Sequence, residues 1–158
     1  MPDPIQLLSH KQSKAASRPM AKREPEVPVD WRMVEHDLAI VRSFRANLLV
    51  IGPDSLVTDV LRSAIADVPH RIVVSACDSR PLRLPALPLA GSTLVLRDID
   101  ELDADGQANQ FEWLERANGE LQIVCTGSGL LPSLMNSGDF DPRLYYRLNI
   151  VCIDLSGS

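Results

Sequence analysis

Apolar residues fall in two rhythms along the chain. Between Asp30 and Arg45, Trp31, Val34, Leu38, Val41 and Phe44 recur at steps of three and four. That spacing predicts one apolar helix face, with Asp30 as N-cap and an end near Arg45. From Leu48 onward, short apolar runs alternate with helix-length amphipathic pieces. Leu48 to Ile51 reads as a strand, Val57 to Val68 as a helix with Leu61, Ile65 and Val68 inward, and Ile72 to Ala76 as a second strand, together a βαβ unit. The run S-T-L-V-L-R-D-I-D-E-L, Ser92 to Leu102, is apolar until it breaks into charge. It predicts a strand buried on both faces in mid-sheet, with Arg97 and Asp98 at the carboxyl end, where open α/β sheets bind ligands.

A helix follows from about Gly106 to Ala117, with Asp103 and Asp105 as possible caps, Phe111, Leu114 and Trp113 inward, and Asn118-Gly119 as its stop. Leu121 to Thr126 reads as a strand, Leu130 to Met135 and Pro142 to Leu148 as short helices, and Asn149 to Leu155 as a last strand. Residues 78–90, with Pro81, Pro85 and Pro88, read as a loop. Five strands alternating with helices predict an α/β fold with a doubly wound, mostly parallel sheet.

The remaining stretch, Met1 to Pro28, holds five prolines and no sustained periodicity. It is expected to be a disordered tail ahead of a helix over 29–46 and a core over 47–158. Its basic cluster, Lys11, Lys14, Arg18, Lys22 and Arg23, reads as solvated charge or a recognition arm. For the whole chain of 158 residues, a net charge of -5 argues against a nucleic-acid or anionic-membrane surface. No apolar run approaches a membrane span and Met1 to Lys22 lacks a signal-peptide core, so a cytoplasmic protein is expected. Cys77, Cys125 and Cys152 are odd in number and show no C-x-x-C spacing, which predicts reduced thiols packed as small hydrophobes.

Two segments carry a family resemblance. G-D-F-D-P-R-L-Y-Y-R-L-N-I-V-C-I-D-L, Gly138 to Leu155, resembles the G-x-F-R-x-D-L-Y-Y-R-L-N-V-x-x-I-x-L of the AAA+ domain of sigma-54-dependent transcriptional activators, the bacterial enhancer-binding proteins. G-S-T-L-V-L-R-D-I-D-E-L, Gly91 to Leu102, is similar to that family's G-G-T-L-F-L-D-E-I-x-E-L. Gln107 stands where the family has a Gln, and Q-I-V-C-T-G, Gln122 to Gly127, looks like its sensor strand. The resemblance implies a P-loop NTPase core, here without the helical lid, and covers about Asn47 to Leu155.

The same resemblance implies a degenerate nucleotide site. The family's phosphate loop, G-E-S-G-T-G-K-E, lines up with G-P-D-S-L-V-T-D, Gly52 to Asp59. Ser55 and Val57 replace glycines and Thr58 replaces the lysine that meets phosphate oxygens. Arg97 takes the position of the magnesium-binding Asp and Asp98 that of the Glu. A guanidinium has no lone pair for a hard cation, so neither metal nor cofactor is expected. Arg97 is instead expected to pair with Asp54 or Asp98 and fill the place of the ligand. Between Cys77 and Gly91 stand 13 residues, and nothing there matches the G-A-F-T-G-A loop that engages sigma-54. Of the family's two inter-subunit arginines, the first aligns with Asp141 and the second with Arg147, a remnant finger or a structural arginine.

These departures imply a catalytically inactive AAA+-like module that binds a protein partner and regulates, with transcription as the process the family suggests. They also imply no hexameric ring, no direct DNA binding and weak or absent nucleotide binding. The alternative is a divergent nucleotide-binding protein or ATPase built around Asp98, or another activity at the carboxyl edge drawing on Asp54, Asp98, Asp100 and His70.

Overall fold

The computed structural model describes residues 28–157 apart from 67, 69, 70, 79, 88 and 118. The basic cluster of the tail and His70 therefore lie outside the described residues. The elements run α1 (Trp31–Phe44), β1 (Leu48–Ile51), α2 (Asp54–Ile65), β2 (Ile72–Ala76), β3 (Thr93–Arg97), α3 (Ala104–Ala117), β4 (Gln122–Gly127), α4 (Leu131–Ser137), α5 (Pro142–Leu148) and β5 (Val151–Asp154), with a 3-10 turn at Ile99–Glu101. The sheet order is β2-β3-β4-β1-β5. Every pairing is parallel.

Strand alternation sorts the core into two layers. Leu49, Ile51, Leu94, Leu96, Ile123 and Cys125 face the side packed by α3 and α5. Leu48, Val50, Val95, Val124 and Ile153 face α1 and α2. All four β1 residues are buried, and burial of such a Leu or Ile contributes about 1.5–3 kcal/mol. A chain apolar on both faces can only be satisfied between two layers of helices, which is why β1 lies inside the sheet rather than at its edge.

Several expectations are corrected. Helix α2 starts at Asp54, three residues before Val57, and Val68 lies beyond its end. Helix α3 starts at Ala104, because the Asp103 carboxylate accepts the Gly106 N–H at 2.7 Å and caps the first turn. Helix α4 runs one residue later than expected at its start and two at its end, closed by Gly138 with φ +82°. Trp31 and Phe44 are 47% and 78% exposed, since only the middle of α1, at Val34, Leu38 and Val41, reaches the sheet. Cys152 is exposed while Cys77 and Cys125 are buried; it sits on the outermost strand, where alternation leaves it uncovered.

Candidate functional site

The carboxyl ends of β1, β3, β4 and β5 converge on one edge of the sheet. Between β1 and α2 stand only Gly52 and Pro53. Gly52 has φ +146°, and a Cβ there would lie 2.8 Å from Leu155 Cβ. Its N–H donates to the Gly127 carbonyl at 3.2 Å, and the Leu155 N–H donates to the Ile51 carbonyl at 2.7 Å. Pro53 is the N-cap of α2 and has no side-chain cap; its carbonyl accepts from the Val57 N–H at 3.0 Å. Asp54 and Ser55 are exposed and Thr58 half-buried, all three inside the helix. Asp54 thus places a carboxylate at the positive end of the helix dipole.

Two strands away, β3 delivers Arg97 and Asp98, both half-buried. Asp98 adopts the left-handed conformation, φ 58° and ψ 56°, which Asp tolerates better than most residues. Its N–H donates to Thr126 Oγ1 at 3.0 Å. The Asp100 carboxylate accepts from the Ser128 N–H at 3.1 Å and from Ser128 Oγ at 2.7 Å. Beneath this end the Cys77 thiol is pushed up to about 12, first by burial and then by Asp98, Asp78 and Asp100. Among the described residues no three His, Cys, Asp or Glu side chains gather closely enough to hold a metal ion.

The strands set these two groups apart. With β4 between β1 and β3, the Gly52–Asp54 corner and the Arg97–Asp98 corner stand about 10 Å apart across the sheet. Thr126 and Ser128 occupy the space between. Neither was legible as a site residue, because each acts on a main-chain or carboxylate group 28 residues away.

Gln107 is the other residue whose work is hidden in the sequence. It is buried, its amide donates to the carbonyls of Leu102 (3.1 Å) and Asp139 (2.9 Å), and its oxygen accepts the Asp141 N–H at 2.8 Å. One side chain thereby joins α3 to the turn before α5. Asp141 caps α5 by accepting the Arg143 N–H at 2.8 Å. The Arg143 guanidinium, hydrogen-bonded to it, holds Asp141 below the usual carboxylate range. Arg143 also stacks 4.9 Å from the Phe111 ring. Arg147 pairs with Glu115 of α3 at 2.6 Å, within the same chain.

The connection from β2 to β3 is held flat. Ser75 Oγ donates to the Arg83 carbonyl at 2.8 Å, and Trp113 Nε1 donates to that of Pro85 at 2.9 Å. Leu82, Leu84 and Leu87 pack on the core.

A family model described as the sigma-54 interaction domain matches residues 31–157. The chain belongs to this family. Among solved structures, this sigma-54 interaction domain is similar to NtrX from Brucella abortus in complex with ATP, with a TM-score of 0.64 at 14% identity over 82% of this chain and 36% of that one. It is also similar to the P-loop NTPase domain of the sigma-54 transport activator from E. coli, TM-score 0.52 at 13% identity over 80% and 96% of the two chains. The Thermotoga maritima RuvB Holliday junction branch migration motor gives 0.52 at 14% identity over 78% and 43%. The domain spans about a third of the length of the NtrX chain. A search of curated protein sequences finds no match. The five-stranded parallel sheet is thus that of the P-loop NTPase and AAA+ neighbours. No helix among the described residues is long and apolar enough to cross a membrane.

Proposed function

We propose that this sigma-54 interaction domain is a catalytically inactive AAA+-like core that works in the cytoplasm as a regulatory, protein-binding module, with transcription as the process its family suggests. The observation that carries this reading is the start of α2 at Asp54, with only two residues between it and β1. A phosphate loop needs free backbone N–H groups turned toward the anion and glycines that let it approach. Here Ser55, Val57 and Thr58, the residues in the loop's place, form the first turns of a helix. Pro53 has no N–H to give, and the Asp54 carboxylate opposes any phosphate there. The residues present do not fit a nucleotide, and no catalytic step is assigned through one. Arg97, on β3, serves as a structural replacement for the ligand.

Two further features support regulation without ring-driven remodelling. The segment between β2 and β3 is tied to Trp113 and Ser75 instead of projecting, so it offers no loop to sigma-54 in the family's manner. Arg147, at the position of a finger, is engaged by Glu115 of its own chain. The domain is therefore read as non-hexameric and unable to open a sigma-54 promoter alone.

Calorimetric titration with Mg-ATP tests the reading. We expect no binding tighter than about 10 μM, or ~-7 kcal/mol, and no hydrolysis. A tighter complex would mean that the site is alive and the proposal wrong.

A further inference from the structure

The amino edge of the sheet, opposite the candidate site, gathers exposed apolar side chains in one place. Helix α1 ends at Phe44 and β1 starts at Leu48, while α5 ends at Leu148 and β5 starts at Val151. The two strands start in register, Leu48 beside Val151. Asn47 ties these entries together: its carbonyl accepts the Val151 N–H at 3.0 Å, its Nδ2 donates to the Arg147 carbonyl at 3.3 Å, and its Oδ1 accepts the Ile123 N–H at 2.9 Å. Phe44, Tyr146 and Ile150 each lie within three residues of Asn47 or of a residue it holds. Among the described residues they are 78%, 68% and 64% exposed.

The frame beneath them is braced. Arg45 closes α1 in the left-handed conformation, φ 51°, and its guanidinium donates to the Gly91 and Ser92 carbonyls at 3.1 and 3.2 Å. The Tyr146 ring stands edge-on to that of Tyr145, with centroids 5.3 Å apart, and Tyr145 packs on the core. Side chains supported in this way have less freedom to lose when a partner covers them. The charge beside them is of one sign. Residues 38–53 and 144–153 hold Arg42, Arg45 and Arg147 and no Asp or Glu, although residues 28–158 carry 18 acidic residues against 11 arginines. Arg42 donates to the Ser63 carbonyl at 2.9 Å, an uncharged acceptor, and Glu115 reaches Arg147 from α3. An arginine in the last turn of α1 and of α5 answers the helix dipole. The dipole does not account for the large apolar side chains next to them.

We propose, on the reading of the domain as a protein-binding module, that this amino-edge patch takes the partner, and that the partner presents an acidic segment carrying large apolar side chains. Phe44, Tyr146 and Ile150 meet the apolar side chains, and the guanidiniums of Arg42, Arg45 and Arg147 face the carboxylates. A second copy docked two-fold on the same patch would set these arginines against one another. The patch lies at the opposite end of the sheet from Gly52 and Arg97, so the partner binds without any nucleotide.

The test titrates the full chain, labelled with nitrogen-15, with a short synthetic peptide of Asp, Glu, Leu and Phe. The amide signals of Phe44, Asn47, Tyr146 and Ile150 should shift, while those of Asp54 and Asp98 stay in place. Phe44→Ser combined with Ile150→Ser, both at exposed positions, should weaken binding by about tenfold or more, and the same peptide with Lys in place of its acids should give no shift. Absence of the shifts, or an equal response to the Lys peptide, would overturn the proposal. So would the same shifts produced by anionic phospholipid vesicles alone, which would make the patch a membrane contact, or signals that move on dilution without peptide, which would seat a second copy there. The Mg-ATP titration reports on the other end of the sheet, so failure here leaves the inactive nucleotide site standing, and tight Mg-ATP binding leaves these shifts unchanged.

Discussion

Over β1 and β5 the carboxyl edge is closed by backbone fit, and over β3 and β4 by side-chain hydrogen bonds. At the first, Gly52 lies so close to Leu155 that no side chain can stand there, and the helix begins at once. At the second, Asp98, Thr126, Asp100 and Ser128 satisfy one another. The difference concerns what each half tolerates. A steric closure fails abruptly when an atom is added, whereas a hydrogen-bonded closure fails in proportion to the partners removed.

Gly52→Ala should therefore be the most damaging single change. A Cβ at 2.8 Å from Leu155 combines overpacking with a backbone conformation that L residues rarely adopt, for a loss of about 3 kcal/mol or more in urea unfolding. Loss of less than about 1 kcal/mol would show that β1 and β5 can part cheaply and would erase the contrast.

On the hydrogen-bonded side, Gln107→Leu keeps the volume and strips three backbone groups of their partner. We expect about 2–4 kcal/mol of destabilisation, because these groups are left without replacement. Gln107→Glu should be no milder, since a buried carboxylate oxygen, which cannot donate, would face the Leu102 and Asp139 carbonyls; a clearly smaller loss than in the Leu variant would show that these two bonds contribute little.

Gln110, one helical turn on, makes the opposite case. It is fully buried, and neither its amide nitrogen nor its oxygen has a hydrogen-bond partner among the described residues. Gln110→Leu should stabilise by about 1 kcal/mol by removing desolvated polar atoms. A decrease in the urea midpoint would show that the amide contributes an interaction after all.

The smallest expected effect is a pH dependence at the β3 end. Below pH 9 the Cys77 thiol is neutral both folded and unfolded and contributes nothing. As pH rises above 9 the unfolded chain ionises, while the folded chain keeps its proton up to about 12. Stability should then fall on the alkaline side, a trend that Cys77→Ala should reduce in melting curves taken from pH 8 to 11.

The fold was largely legible because its signals are local. Strand β2 and helix α5 fall on the expected residues, since an apolar run between breakers and a proline one residue after Asp141 each settle their own bounds. Helix α2 was placed three residues late because Pro53-Asp54-Ser55 reads equally as a loop, and only the tight approach of Gly52 to Leu155, 103 positions apart in sequence, forces an early start. The place of Gly52, Arg97 and Asp98 at the carboxyl ends of β1 and β3 was legible, because each follows an apolar run. Thr126, Ser128 and the three-way bonding of Gln107 were not, because their partners are distant main-chain atoms that no spacing rule reports.

The bond from Trp113 to the Pro85 carbonyl also gives the molecule its own optical readout. The chain has two tryptophans. Trp113 is 3% exposed and Trp31, the first residue of α1, is 47% exposed. An indole in a dry, hydrogen-bonded setting emits at shorter wavelength than one in water, so the two fluoresce as separable colours. Release of the β2–β3 segment should dim the blue component, and fraying at the start of α1 should move only the red.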